Sequence, residues 1–328
     1  MKSFRCQAEL VDPVNVWRAW RDFERGKRRR PDVAAFSVEA ERHVLALADA
    51  LASGRYVPGP YRLLHVVDPK RRIVAAAAVR DRVVHHAIHR VLAPRLNRRF
   101  IAHSYACLPN RGSHRAIRRF QRSLRRHRFV LQLDVRRYFY SIDRARLRAL
   151  LHRRLPEPPL RELLDQVLNS GADLYRRQDV VAWLGWPGPM PPGRGLPIGN
   201  LTSQWWGNLY LDALDHLACR RLRIPGYQRY MDDFALFGDD VQALRDQRDQ
   251  LAAWLDAERG LCLKVPDAEP RSCRAAHAYL GYRVTPDTLT LGPKARQRLP
   301  ANLSRVAHDP ERAAAVVQAY GAAWTFGV

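Results

Sequence analysis

Two aspartates stand side by side inside an apolar stretch, Tyr230-Met231-Asp232-Asp233-Phe234-Ala235-Leu236-Phe237. A run of this composition buries most of its side chains. Adjacent carboxylates cannot follow them inside unless something neutralises the charge. The conflict is resolved when the acids occupy the tip of a strand-turn-strand hairpin. Turns rich in Asp are common for their own reasons, so the pair alone admits a plain turn as well as a functional site. A second stretch narrows the choice. Phe129-Val130-Leu131-Gln132-Leu133-Asp134 has the composition of a buried strand and also ends in an acid. The loop after it, Val135-Arg136-Arg137-Tyr138-Phe139, carries cations and aromatics.

Three carboxylates brought together repel one another and raise each other's pKa. Two divalent cations reverse that effect and keep all three ionised, and hard oxygen ligands suit Mg²⁺. Two such ions about 4 Å apart clamp the attacking and leaving oxygens of an in-line phosphoryl transfer. The charge of the chain points the same way. Its 328 residues hold 56 Lys and Arg against 32 Asp and Glu, a net charge of +24, with a pI near 10.8. The natural partner is a polyanion, bound in a salt-sensitive way. A membrane surface is the competing partner for positive charge. There is no long apolar run, and Met1–Cys6 lacks the apolar core of a signal peptide, so no membrane is expected. Five scattered cysteines, Cys6, Cys107, Cys219, Cys262 and Cys273, form no CxxC pair. They fit reduced cytoplasmic thiols rather than a disulfide framework or a zinc ribbon.

The length suffices for two or three subdomains, and no internal repeat is visible. Residues 13–55 are predicted mostly helical. Val16, Trp17 and Trp20 form one stripe and the stretch Val38–Leu47 another. Between them Arg25–Pro31 is a basic loop, open to solvent or to phosphate. Tyr56–Val67 predicts a turn and a strand. Arg80-Asp81-Arg82 opens a helix over Val83–Leu96, which carries His85, His86 and His89. Two of these histidines have i, i+4 spacing, but no acid or cysteine completes a metal site, leaving a structural or RNA-facing role. Over 113–128, Arg115, Arg118, Arg119, Arg122, Arg125 and Arg126 recur at helical spacing and make one guanidinium face, solvated or set against a template backbone. Val180–Arg194 is expected to be a loop, followed by a helix from Trp205 to about Arg221 and another over Asp240–Glu258. Leu261–Val265 and Tyr279–Val284 are expected as strands, and the remainder to Val328 as basic, Ala-rich helix.

The ordered blocks from about Arg72 to Val284 resemble those of reverse transcriptases. Asp134 matches that family's first metal-binding aspartate, and Asp232 and Asp233 match its adjacent pair. The resemblance implies an α/β (α+β) right-hand polymerase. Residues 1–129 would be helical and β fingers with an N-terminal helical extension. Residues 130–284 would be a ferredoxin-like palm with an antiparallel sheet, partly interleaved with fingers elements, and 285–328 a short basic helical thumb. It implies RNA-directed DNA polymerase activity, with two Mg²⁺ ions held by Asp134, Asp232, Asp233 and the backbone of Val135. Phe139, five places after Asp134, would lie beneath the sugar of the incoming dNTP, where a ring clashes with a 2′-hydroxyl. Arg72 would grip the triphosphate as a bidentate donor, with Lys70 as a second cation. Arg137 and Tyr138 would offer backbone N–H groups, and Ile198 and Gly199 would line the nucleotide. Tyr230 and Met231, with Arg115, Arg118, Arg119 and Arg122, would contact primer and template RNA.

One segment points to a subfamily. Most reverse transcriptases carry Gln-Gly at the place of Ile198-Gly199 and Ser-Pro at the place of Ser203-Gln204. Leu196-Pro197-Ile198-Gly199-Asn200-Leu201-Thr202-Ser203-Gln204 instead resembles the reverse transcriptases of diversity-generating retroelements, as do His103–Cys107 and Arg111–Ala116. That likeness implies copying of a template-repeat RNA into cDNA, with errors at template adenines, for diversification of a target gene. It also implies a small basic oligomeric accessory protein, a cytoplasmic setting, and no appended maturase, RNase H or endonuclease domain. Ile198 would replace a polar contact on the nucleotide by an apolar one. A lost hydrogen bond is worth about 0.5–1.5 kcal/mol, or roughly two- to tenfold in discrimination. This loosens selection without explaining a preference for adenine. The alternatives are a phage-defence or group II intron-like reverse transcriptase, and a non-catalytic RNA-binding scaffold. Ser203-Gln204 speaks against intron ancestry, and the three aspartates with Phe139 and Arg72 speak against a scaffold.

Overall fold

A computed structural model describes residues 6–67, 70–311, 313–314 and 316–318. It has the mixed helix-and-sheet character expected. The first part of the chain forms α1 (Gln7–Val11), α2 (Pro13–Glu24), α3 (Pro31–Val38), α4 (Ala40–Ala52), β1 (Arg62–Val67), β2 (Arg71–Ala76) and α5 (Val79–Leu96). The middle forms α6 (Ser113–Arg126), β3 (Phe129–Asp134), α7 (Tyr138–Ser141), α8 (Arg144–His152), α9 (Pro158–Asn169), α10 (Gln178–Leu184), α11 (Leu201–Tyr210) and α12 (Asp212–His216). The last part forms β4 (Gly226–Tyr230), β5 (Asp233–Gly238), α13 (Val241–Trp254), β6 (Arg271–Ser272), β7 (His277–Tyr279), β8 (Tyr282–Val284), β9 (Leu289–Leu291) and α14 (Pro293–Arg305).

Two compact units share these elements. One takes in the chain up to Phe100, Arg136–Ala213 and Trp254–Cys262; the other takes in Ile101–Val135, Leu214–Ala253 and the chain from Leu263 onward. In the first unit, α2 starts on an Asp12 cap that accepts the Val14 N–H at 2.8 Å, with Pro13 in the first turn. Val16, Trp20 and Phe23 on α2, and Val44, Leu47, Ala48 and Leu51 on α4, are buried. Their three- and four-residue steps place each set on one helix face. α5 is buried nearly all round. Its Asp81 is sealed inside, where the carboxylate accepts the Tyr56 hydroxyl at 2.9 Å and the Gly59 N–H at 3.0 Å. β1 and β2 form an antiparallel pair, and Ile73 and Ala75 of β2 pack on Leu174, Tyr175 and Val180.

The second unit is built on a four-stranded sheet in the order β4-β5-β3-β6, with β4, β5 and β3 successively antiparallel. Cross-strand register puts Val130, Gln132 and Asp134 opposite Phe237, Ala235 and Asp233. With a side-chain period of two, all six lie on one face. α6 covers that face through Ala116, Ile117, Phe120 and Leu124, with Phe120 stacked on Tyr279 at 4.3 Å. β7, β8 and β9 complete the same core through Tyr279, Tyr282, Val284, Leu289 and Leu291.

Several local expectations are corrected. Helix α10 occupies residues 178–184, so the proline-rich loop starts only at Gly185. The helix expected from Trp205 starts at Leu201 and is interrupted at Leu211 before α12. Leu261–Val265 is not a strand. It makes one isolated bridge, Val135 with Leu263, and backbone bonds from Arg136 to Cys262 and from Lys264 to Asp134. Tyr279–Val284 is two strands, because Leu280 and Gly281 both take positive φ (46° and 86°) and turn the chain between Tyr279 and Tyr282. That is the type I′ hairpin geometry, which Leu at its first central position conceals from a sequence reading. The segment expected as helix from 285 opens with strand β9 before α14. Its final residues, 319–328, lie outside those described.

Candidate active site

The acids come together within the second unit. β4 and β5 pair up to Tyr230 opposite Asp233, which leaves Met231 and Asp232 as a two-residue hairpin loop. Met231 sits at φ 59° and Asp232 is not in the left-handed region, as in a type II′ turn. On its other edge β5 places Asp233 directly opposite Asp134. The Asp232 carbonyl accepts the Val135 N–H at 3.3 Å, which ties the loop to the end of β3. Like charges directly opposite on adjacent strands are unfavourable, so a cation is needed. Lys264 supplies one. Its Nζ donates to Asp134 Oδ2 at 2.5 Å, and that bond, with the charges of Asp134, Asp233 and Asp232, holds its pKa above the ordinary lysine value. Sequence reasoning passed over Lys264; a lone cation within apolar Leu261–Val265 was the available signal.

Tyr230 is half-buried beside the core under α6, and Met231 is buried. On α6, Arg115, Arg118 and Arg122 are exposed and Arg119 is half-buried, while the opposite face packs on the sheet. Arg115 donates to the Asn110 carbonyl, and Arg125 Nε to the Pro286 carbonyl at 2.6 Å.

The candidate nucleotide contacts lie within the first unit. Arg137, at φ 49°, precedes α7, and its guanidinium lies over the Trp186 ring at 4.6 Å. Tyr138 is buried, its hydroxyl bonded to the Gly207 carbonyl at 2.5 Å, so its side chain is structural. Phe139 is half-buried, and its carbonyl accepts the Leu196 N–H at 2.8 Å. The Ile198 N–H donates to the Tyr175 hydroxyl at 3.2 Å, while its carbonyl accepts the Ala75 N–H of β2 at 2.7 Å. Gly199 follows at φ 118°, where an added Cβ would meet the Ala75 carbonyl oxygen and Val74 Cγ1 at 3.0 Å each. Lys70 and Arg72 are exposed on and beside β2. Ser203 is buried in the first turn of α11 and Gln204 exposed.

The basic loop and the histidines also find their places in this unit. Lys27 and Arg30 line a cavity of about 490 Å³ together with Arg62, Arg82, Asp32 and Gly199. Burial, then Arg30 and Arg82, lower the Lys27 pKa. Arg28 instead pairs with Glu24 at 3.1 Å. His85 and His86 are pulled down to about 3 and about 4, chiefly by burial, so both are neutral near pH 7.

The pattern of the family described as reverse transcriptase (RNA-dependent DNA polymerase) matches residues 67–282, well over half of the chain. The chain belongs to the reverse transcriptase family. Two relatives extend the comparison. Protein YkfC of Escherichia coli (strain K12) is 27% identical over 179 residues, 52% of this chain and 43% of that protein. Group II intron-encoded protein LtrA of Lactococcus lactis subsp. cremoris is 21% identical over 180 residues, 54% of this chain and 28% of that protein. The chain therefore spans less than half the length of either relative. Among solved structures, telomerase from Candida albicans in complex with a TWJ fragment of telomeric RNA aligns with a TM-score of 0.49 at 10% identity, covering 73% of this chain and 47% of that one. No described helix is long and apolar enough to cross a membrane.

Among the described residues no three His, Cys, Asp or Glu side chains converge as a preformed metal cage. The donor set nevertheless fits a hard cation. It is all carboxylate oxygen, two of its members oppose each other across a strand pair, and the half-exposed Lys264 supplies positive charge beside them.

Proposed function

We propose that this reverse transcriptase is an RNA-directed DNA polymerase that copies a template-repeat RNA into cDNA, with errors concentrated at template adenines. The observation that carries the polymerase reading is the register of β3 and β5. It sets Asp134 against Asp233 with Asp232 in the adjoining loop, and Lys264 interacts with all three. Asp134, Asp232 and Asp233, with the Val135 backbone, would hold two Mg²⁺ ions. When bound, these would activate the primer hydroxyl and neutralise charge developing on the triphosphate. Lys264, bonded to Asp134, supplies positive charge beside the acids until then. Arg72 and Lys70 would bind the triphosphate, with backbone N–H groups from Arg137 and Tyr138, and Phe139 would exclude a 2′-hydroxyl. The fingers, palm and thumb would follow the divisions 1–129, 130–284 and 285–328. Template RNA, cDNA and dNTPs would be the ligands, and a small basic accessory protein the partner in a cytoplasmic complex.

Ile198 and Ser203-Gln204 support the diversifying role. The loop that carries Ile198 has its backbone N–H and C=O committed to Tyr175 and Ala75. This leaves the apolar side chain as what it offers a nucleotide. The match to an intron-encoded protein supports one second reading, an intron-type enzyme.

Primer extension on an RNA template with Mg²⁺ and dNTPs separates these readings. Asp233→Asn is expected to abolish synthesis while leaving RNA affinity within twofold; persistent synthesis would remove the acid assignment. Ile198→Gln is expected to lower misincorporation opposite template adenines two- to tenfold, the range of one hydrogen bond. An unchanged adenine spectrum would remove the diversifying role and leave the intron-type reading.

A further inference from the structure

Behind the hairpin tip lies a buried ion pair that the proposed chemistry does not use. Arg229 on β4 and Asp215 on α12 are both fully inaccessible to solvent. The contact is a bidentate fork, with Arg229 Nε to Asp215 Oδ1 at 2.7 Å and Nη2 to Oδ2 at 2.6 Å. Asp215 Oδ1 also accepts the Tyr227 hydroxyl at 2.7 Å. The remaining guanidinium nitrogen, Nη1, donates to the Met231 carbonyl at 2.9 Å. The Arg229 backbone is bound as well, its N–H to the His103 carbonyl and its carbonyl to the Tyr105 N–H, both at 2.9 Å.

A buried ion pair is a poor way to stabilise a fold, since apolar side chains of similar volume serve as well or better. This pair acts on a particular peptide group. The Met231 carbonyl belongs to the plane joining Met231 to Asp232, and that plane is rigid. Met231 has a positive φ, a conformation that a residue with a Cβ keeps only when its surroundings enforce it. Fixing the plane fixes where Asp232 leaves the turn, and with it the Asp232 carbonyl on Val135 and Asp233 opposite Asp134.

We infer that Arg229, oriented by Asp215, is a positioning residue that holds the Met231–Asp232 peptide in its strained turn and so sets the geometry of the acidic pair for divalent cations. The inference rests on the reading of Asp134, Asp232 and Asp233 as metal-binding. Its test is Mn²⁺ binding to the whole chain without nucleotide, followed by electron paramagnetic resonance, beside thermal unfolding. The paired change Arg229→Met with Asp215→Leu removes both charges together. It is expected to melt within about 5 °C of the native chain and to bind Mn²⁺ at least tenfold more weakly, with the Mg²⁺ half-saturation of primer extension rising in parallel and the dNTP KM unchanged. Native Mn²⁺ affinity in this folded variant overturns the inference. Should the pair fail to fold, Arg229→Lys keeps the charge but not the fork; at least threefold weaker Mn²⁺ binding supports the inference and native affinity overturns it. Asp233→Asn marks the separate failure. If it leaves Mn²⁺ binding intact, the acids are not the metal site and the inference falls with that reading.

Discussion

At the scale of single residues, the segment around Ile198 is held by its backbone, and Gly199 shows how tightly. Its φ of 118° is a region that side chains disfavour, and a Cβ there would press on the Ala75 carbonyl oxygen and Val74 Cγ1. The adjacent bond from the Ala75 N–H to the Ile198 carbonyl leaves β2 little room to retreat. Gly199→Ala is therefore expected to cost about 1–3 kcal/mol in backbone strain and to lower the Tm by several degrees. The loop would move off β2 and the KM for dNTPs would rise several-fold with it. Calorimetry and steady-state primer extension measure both, and a variant with native Tm and KM would show that the segment is not pinned. The glycine is easy to see in the sequence, but its reason is not: the crowding comes from a strand more than a hundred residues earlier. The three aspartates are the opposite case. Asp134 ends one apolar run and Asp232-Asp233 interrupt another, so the sequence marked a strand end and a hairpin tip.

At the scale of elements, legibility followed periodicity. Phe129–Asp134 forms β3 over the span expected, an apolar run with buried side chains on both faces, closed by an acid. α10 is hidden beside the proline-rich stretch that follows it, since seven residues give too little pattern to count. The turn between Tyr279 and Tyr282 is hidden by a leucine at positive φ. The three histidines of α5 offered a metal reading, a structural one and an RNA-facing one; among the described residues no group of three His, Cys, Asp or Glu forms a metal site, and burial keeps His85 and His86 neutral. His85 is lowered to about 3 by burial and then by His86 and Arg82; His86 is lowered to about 4 by burial, then Lys27 and His89, against Asp22. Both imidazoles are neutral in the folded chain, while the unfolded chain takes up protons below about pH 6.5. Between pH 6.5 and 4 the unfolded state binds more protons, so stability falls as pH falls. From pH 7 to 5 the loss is about 1–2 kcal/mol for each imidazole. Thermal unfolding across this range should show the Tm falling with acid, and His85→Leu with His86→Phe should flatten the profile. A profile as steep in that variant as in the native chain would assign the acid sensitivity to other groups.

For the molecule as a whole, the net charge of +24 is spread over many arginines, so composition named a polyanion without saying where it lies. The fold seats some arginines in buried or half-buried bonds and leaves others exposed. Arg229 is committed to Asp215 and Met231, Arg144 donates to the Ala172 carbonyl at 2.7 Å, and Arg259 to the Tyr210 carbonyl at 2.6 Å. Arg118 and Arg122 on α6, by contrast, are exposed on a helix whose other face is fixed to the sheet. A helix so anchored presents its cations at low entropic cost, which favours phosphate contact over a merely solvated face. Each phosphate contact released adds about 0.7 to the slope of log affinity against log salt for a single strand. Replacing Arg118 and Arg122 together by Ala should therefore reduce the salt slope of single-stranded RNA binding by about 1.4. It should weaken binding at low salt without changing the Tm by more than a degree or two, because neither side chain fills the core. Fluorescence anisotropy at several salt concentrations reads the slope directly. An unchanged slope would mean that the two guanidinium groups face solvent in the complex, and that the template is held by other cations, the Lys27, Arg30, Arg62 and Arg82 cavity among them.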